Sequence, residues 1–174
     1  MKTNALSVAN YLVECAINEN VEIHLLGLIK RVYIVHGFSL AIYDKPAIDS
    51  RFDRVEAWKY GPVIPSVYHS FKHYKNDPIK ETVVIIEEYS GDKPEFTTPE
   101  LHDDQIKRVC DMVRKRYRNM NDNDIVKLTH MSGTPWGMCY RVGENNPIPD
   151  ELTKRYYAKI IEVTTSNPYN NDSH

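Results

Sequence analysis

The spacing of apolar residues along the chain predicts a protein built mainly of helices. Near the N-terminus, apolar residues recur every three to four positions, the period of one helix face, and Asn4 stands where an N-cap is expected. The next segment, residues 23–36, is apolar on most sides, as is typical of a helix at the centre of a fold. Its pattern is compatible with an end at Gly37 or with a continuation to Ile42.

A Gly-Pro pair after a short apolar segment predicts a sharp turn in the first half of the chain. The segment 55–60 precedes Gly61 and Pro62, whose backbone preferences interrupt regular structure. Pro65 stands where a new helix can begin without losing a hydrogen bond, and the apolar residues after it keep helical spacing. We therefore expect an extended segment that turns at Trp58 and enters a helix, as a structural elbow rather than a catalytic element.

The second half predicts a β-hairpin followed by more helices. The β-branched run at 82–86 indicates a strand, with a turn at 90–92 and a return strand at 95–97. The later expected elements are a helix that begins at Thr98, short helices at 125–130 and from Pro135, a loop at 145–149 and a last helix that carries Leu152 to Val163.

Together these elements predict a mainly α (α+β) fold, a compact single-domain helical bundle of about six helices with a small β-hairpin. The chain has 174 residues, of which 41% are hydrophobic and 26% charged, and these values suit one globular domain. No change in composition divides the chain. We expect one domain over residues 1–163 and a polar, flexible tail over 164–174.

Charge and cysteine content narrow the class of protein. The net charge of −2 gives no general attraction to nucleic acid or to an anionic membrane. The three cysteines, Cys15, Cys110 and Cys139, are far apart, which predicts reduced thiols rather than a disulfide framework or a zinc cluster. Polar residues interrupt the N-terminal segment, and no apolar run reaches the length of a membrane span, so we expect a cytoplasmic protein with no membrane partner.

The sequence contains no recognisable catalytic pattern. It has neither a glycine-rich phosphate loop nor a nucleophile and base at a familiar spacing. His69 and His73 stand four residues apart on an expected helix, but no third metal ligand is near them in sequence. We therefore expect no enzyme activity, no metal and no cofactor.

Tyrosines and arginines are the candidate partner-binding residues. Twelve tyrosines favour an interaction protein, because tyrosine is amphipathic and common at contact surfaces. The helix expected after Thr98 is rich in lysine and arginine between 107 and 118, which suits either a solvated outer face or an anionic partner. The expected anchors of a protein–protein interface are Tyr60, Tyr68, Tyr74, Arg114 and Arg118.

Several short motifs follow one another in a fixed order. Glu56-Ala-Trp58 precedes Gly61-Pro-Val63 and Pro65, and farther along Leu128-Thr-His130 precedes Pro135-Trp136. In this order and spacing the chain resembles the Panacea domain family, also described as SocA-like or phage-associated GepA-type antitoxins. The resemblance extends from residue 5 to about residue 162, and its other matching positions are Val8 to Tyr11, Leu28, Lys30, Tyr33, Tyr68, Tyr156 and Tyr157.

The resemblance implies an antitoxin that binds and neutralises a toxin protein encoded nearby. Two alternatives stay open: an adaptor that delivers the toxin to a cytosolic protease, and a nucleic-acid or phosphate-ligand binding module that uses the basic helix. A cytosolic protease and a second copy of the chain are further candidate partners, whereas nucleic acid is not a partner in the first hypothesis. The motif residues expected to hold the structure in shape are Trp58, Gly61, Pro62, Pro65, His130, Pro135 and Trp136.

Overall fold

The computed structural model describes residues 4–90 and 93–166. Within these ranges the chain forms seven α-helices, one 3-10 helix (Lys72–Tyr74) and two small antiparallel sheets, which confirms the predicted fold class with one helix more than expected. The α-helices are α1 (Ala5–Asn18), α2 (Leu25–Tyr43), α3 (Pro65–Phe71), α4 (Asp104–Arg116), α5 (Asp122–Thr129), α6 (Pro135–Cys139) and α7 (Asp150–Thr165). The strands are β1 (Glu56–Trp58), β2 (Gly61–Val63), β3 (Ile85–Ser90), β4 (Lys93–Thr97) and β5 (Asn146–Pro147).

Helix α2 lies at the centre of the molecule and packs against α1, α3, α4, α5 and α7. It does not end at Gly37, because this glycine is a packing position rather than a cap. A Cβ at Gly37 would lie 2.1 Å from the Tyr157 ring on α7, so only glycine fits there. The same ring packs edge-on against Phe38 and Tyr33, with centroids 4.9 and 5.9 Å away.

Helix α2 is also long and apolar enough to cross a membrane, judged by length and composition alone. The expectation that no apolar run reaches that length was therefore wrong. In the folded chain, however, 78% of its most apolar window is buried, and Lys30 and His36 on this helix are buried with it. The surroundings of α2 are thus those of a core helix covered by the protein's own elements.

The turn at Trp58 is a β-hairpin. Strands β1 and β2 pair antiparallel with Trp58 opposite Gly61, and Pro65 is the first residue of α3, as its position predicted. Strand β5 pairs with the other edge of β1, within the segment 145–149 that the sequence predicted to be a loop. That prediction failed because a two-residue strand is too short to show an alternating pattern.

The second hairpin, β3–β4, also differs from the sequence-based expectation. The predicted strand at 82–86 begins instead at Ile85, because the backbone of Val83 bonds to a side chain of α1. The return strand is confirmed within β4. Of the turn expected at 90–92, Gly91 and Asp92 lie outside the described residues.

Helix α4 does not begin at Thr98 but at Asp104. The carboxylate of Asp103 accepts hydrogen bonds from the backbone N–H groups of Gln105 and Ile106, and this cap fixes the helix start. At the other end of the chain, α7 continues to Thr165, two residues past the predicted domain limit. Residues 167–174 of the expected tail lie outside the described residues.

The buried amide of Asn10 ties helix α1 to two distant loops. Its Nδ2 donates to the carbonyl oxygens of Val83 and Pro99, each at 3.0 Å, and its Oδ1 accepts from the Val83 N–H at 2.9 Å. Asn10 is only 2% exposed, so water cannot replace these bonds. The amide therefore holds the chain on both sides of the β3–β4 hairpin against α1.

Replacing Asn10 by alanine should lower the unfolding free energy by about 2–4 kcal/mol, because it leaves a buried N–H and two carbonyls without partners. Urea denaturation followed by far-ultraviolet circular dichroism measures the change. Asn18→Ala is the matched control, since Asn18 lies on the same helix but is exposed, and it should change stability by less than about 0.5 kcal/mol. Equal effects of the two substitutions would contradict the role of the buried amide.

Candidate partner-binding surfaces

Residues from three parts of the chain meet where the β1–β2 hairpin faces α5 and α6. The indole N–H of Trp136 donates to the carbonyl oxygen of Trp58 at 2.7 Å. The His130 ring lies 4.1 Å from the Trp136 ring between centroids, and its Nε2 donates to the carbonyl oxygen of Lys59 at 3.2 Å. These four residues are called the tryptophan corner below.

Local sequence signals place each part of the tryptophan corner. Asn121 caps α5 through a reciprocal capping box, and Thr134 caps α6 with Pro135 as its first residue. His130 is the C-cap residue of α5, and its backbone N–H donates to the carbonyl oxygen of Lys127. Its ring bonds to the hairpin carbonyl of Lys59.

The two tryptophans are half-buried, not fully buried, and both are held on several sides. Trp58 packs edge-on against Tyr68 with centroids 5.0 Å apart, and its indole N–H donates to Glu56 Oε2 at 2.8 Å. Trp136 stacks on Tyr140 at 4.8 Å with an interplanar angle of 20°. Each indole N–H therefore has a partner, as aromatic groups at a fixed surface position require.

A buried lysine lies under the turn of the hairpin. Lys30 on α2 is fully buried, and its Nζ donates to the carbonyl oxygen of Pro62 at 2.7 Å. Burial disfavours the charged form and lowers the pKa of Lys30 to about 7. Gly61 has a φ of +102°, which favours glycine in the turn, and a Cβ there would lie 3.0 Å from Lys30 Nζ.

Exposed apolar side chains lie next to the tryptophan corner along the chain. Tyr60 at the hairpin turn is 59% exposed, Met131 after His130 is 49% exposed, and Met138 on α6 is 54% exposed. Val142, in the turn that follows α6, is 88% exposed. These four side chains are called the corner surface. The sequence analysis identified Tyr60 but missed the other three. Their only signal was that they lie in turn-rich segments, outside the apolar repeat of any buried helix face.

The structure separates the five predicted partner-binding residues. Tyr60 belongs to the corner surface, and Tyr68 lies half-buried behind it against Trp58. Tyr74 lies in the 3-10 helix after α3, with its ring 4.3 Å from the ring of His73. Arg114 lies elsewhere, in the last turn of α4, and Arg118 follows the end of that helix.

Arg114 and Arg118 line a groove of about 750 Å³ formed by the ends of α1, α2, α4 and α5, called the end groove below. The guanidinium of Arg114 is held by the carboxylates of Glu19 and Asp111, the latter at 2.9 Å. Asp122 at the start of α5, which also lines the groove, is paired with Arg31 of α2. The end groove therefore has walls fixed by ion pairs.

The structure offers little for metal or thiol chemistry. Among residues 4–90 and 93–166, no group of three or more histidine, cysteine or acidic side chains is arranged to hold a metal ion. His69 and His73 each lie beside a tyrosine ring instead. Burial raises the pKa of the Cys15, Cys110 and Cys139 thiols, which keeps them protonated and weakly nucleophilic at neutral pH.

The fold and the tryptophan corner define the class: a small, mainly helical protein in which two short helices hold a β-hairpin in place. The family described as "Antitoxin SocA-like, Panacea domain" matches residues 28–137, which include the whole tryptophan corner. The chain belongs to this family, as the order of its motifs predicted.

A relative within the family is Antitoxin SocA of Caulobacter vibrioides (strain NA1000 / CB15N). It is 32% identical to this chain over 138 residues, which cover 76% of this chain and 68% of the relative. No solved structure matches the chain significantly.

The lowered pKa of Lys30 makes stability depend on pH. Between pH 7 and about 10.5 the unfolded chain binds more protons than the folded one at this site, so the unfolding free energy should rise with pH, by at most about 1.4 kcal/mol per unit. Urea denaturation of the wild type and of Lys30→Met across this range measures the effect. The difference between the two profiles should change steadily with pH, and parallel profiles would show that Lys30 is not desolvated in the folded state.

Proposed function

We propose that this protein is a cytoplasmic antitoxin that neutralises a toxin protein encoded near it by direct contact. Membership of the SocA-like family supports an antitoxin role. The proposed direct contact rests on the corner surface, where apolar side chains are exposed around a frame fixed by hydrogen bonds.

The physical argument is that exposed apolar side chains on a rigid frame favour binding to another protein. Tyr60 brings a large amphipathic ring at a small entropic cost, and methionine adapts its shape to a partner. Because Trp136 and His130 already hold the hairpin turn by its carbonyls, the loss of backbone freedom on binding is small. A stable complex would bury about 1,600 Å² in total, so the corner surface would form its centre rather than its whole.

The proposed function needs no catalytic residues. Neutralisation requires only that the toxin be held, and the corner surface contains contact groups rather than a nucleophile and base. Three of its four side chains have no ionisable group, and the fourth is a tyrosine. A protein-binding role therefore fits this surface better than an acid–base or metal-assisted reaction.

Co-expression with the neighbouring open reading frame tests the proposal. The neighbour expressed alone should arrest growth, and this protein should restore it. Tyr60→Ala with Met138→Ala should abolish protection and weaken the purified complex at least tenfold, because truncating central aromatic and apolar anchors typically costs more than 1 kcal/mol each. Growth curves and isothermal calorimetry measure the two effects.

The matched control is Val163→Ala, an exposed apolar residue near the end of α7 and 61% exposed, which should leave protection unchanged. Circular dichroism confirms that each variant is folded. A neighbour that is harmless alone, or equally toxic with and without this protein, would overturn the proposal. If the toxin instead disappears in a protease-dependent manner, the protein acts as a proteolytic adaptor and not by stable neutralisation.

A further inference from the structure

The end groove is a second binding site candidate, separate from the corner surface. It lies at the end of the bundle where the loop between α1 and α2 meets the loop between α4 and α5. No residue of the corner surface lines it. At about 750 Å³ it falls in the range of cavities that hold a short peptide segment or a small molecule.

The floor of the end groove is apolar. Leu12, Ile23 and Leu25 are buried at its base, and two large apolar side chains stay exposed at its edge, Val21 at 59% and Leu26 at 42%. Water in contact with such a floor is released when an apolar side chain enters. The floor therefore favours an occupant with at least one large apolar side chain.

Some of the charged side chains at the rim are in ion pairs, and others are not. Arg31 and Arg114 are cationic, but each is already paired with a carboxylate of the protein. Lys75 and Arg118 are exposed and form no ion pair within the described part of the chain. The free charge at the rim is therefore mainly positive.

The carboxylates of the rim limit which anion can bind. Glu19 and Asp122 are neutralised by arginines, and Glu22 Oε2 lies 4.0 Å from His24 Nε2. A nucleic-acid backbone would bring a row of phosphates against these carboxylates and would leave the apolar floor uncovered. Lys75 and Arg118, beside an apolar floor, instead match carboxylates in a segment that also carries an apolar side chain.

We propose that the end groove binds a segment of a partner protein in which a large apolar side chain is flanked by aspartate or glutamate. The apolar side chain occupies the floor over Leu12 and Leu25, and the carboxylates pair with Lys75 and Arg118. The inference deepens the proposed function, since it gives the chemistry of a second contact with a protein partner, but it does not require that partner to be a toxin.

Selection from a phage library of random twelve-residue peptides, with the intact protein as bait, tests the inference and does not require the natural partner to be identified first. Enriched peptides should share an apolar residue flanked by acidic ones. A synthetic peptide of that consensus should bind the double variant Lys75→Glu, Arg118→Glu at least tenfold more weakly than the wild type, measured by fluorescence anisotropy.

Two controls separate this site from the rest of the surface. Lys159→Glu, an exposed charge reversal on α7, should leave peptide binding within twofold of the wild type. The corner variant Tyr60→Ala with Met138→Ala should also bind the peptide normally. The proposed toxin contact and the proposed peptide site are therefore tested separately. Circular dichroism verifies the fold of every variant.

Each other outcome overturns the inference. An enriched consensus without acidic residues, no enrichment at all, or binding insensitive to the charge reversal would remove the end groove as an acidic-segment site. Displacement of the peptide by a twenty-nucleotide single-stranded DNA would assign the groove to anions in general. A dimer in sedimentation velocity that dissociates with Arg118→Glu would show that a second copy of this chain is the occupant.

Discussion

The contact on which the structure depends is the bond from the buried amino group of Lys30 to the carbonyl oxygen of Pro62. Removing the charged form of a lysine from water costs free energy, and the packing around Lys30 must offset that cost. The bond joins the central helix to the β1–β2 hairpin beside Gly61, whose φ of +102° is a backbone conformation that other residues rarely adopt. One position of the central helix therefore holds the turn in place.

The hairpin is also held by residues that follow α5 and begin α6. His130 and Trp136 bond to the carbonyls of Lys59 and Trp58, so these two contacts are made through the backbone of the hairpin. Side chains of the turn are consequently free to face outward, as Tyr60 does. This division explains how the motif residues can be structural while the residues next to them form a contact surface.

Sequence reasoning succeeded where the signal was local. Asn4 capped α1 and Pro65 opened α3 as expected, because caps and N-terminal prolines act within one helical turn. It failed where a distant partner decided the outcome: Asn10 holds Val83 out of the predicted strand, and β5 exists only because β1 is beside it. The buried state of Lys30 and the end groove could not be predicted either, since both depend on which helices meet in space.

Helix α5 links the two candidate surfaces. Its first turn carries Asp122 at the end groove, and its C-terminus leads into His130 at the tryptophan corner, so its eight residues separate the two by only about 12 Å. On the facing helix, the neighbours Lys30 and Arg31 contact the same two regions. A protein interface of ordinary size is roughly 30 Å across on each partner. An interface of that size is wide enough to include both surfaces, whose separation follows from the length of α5.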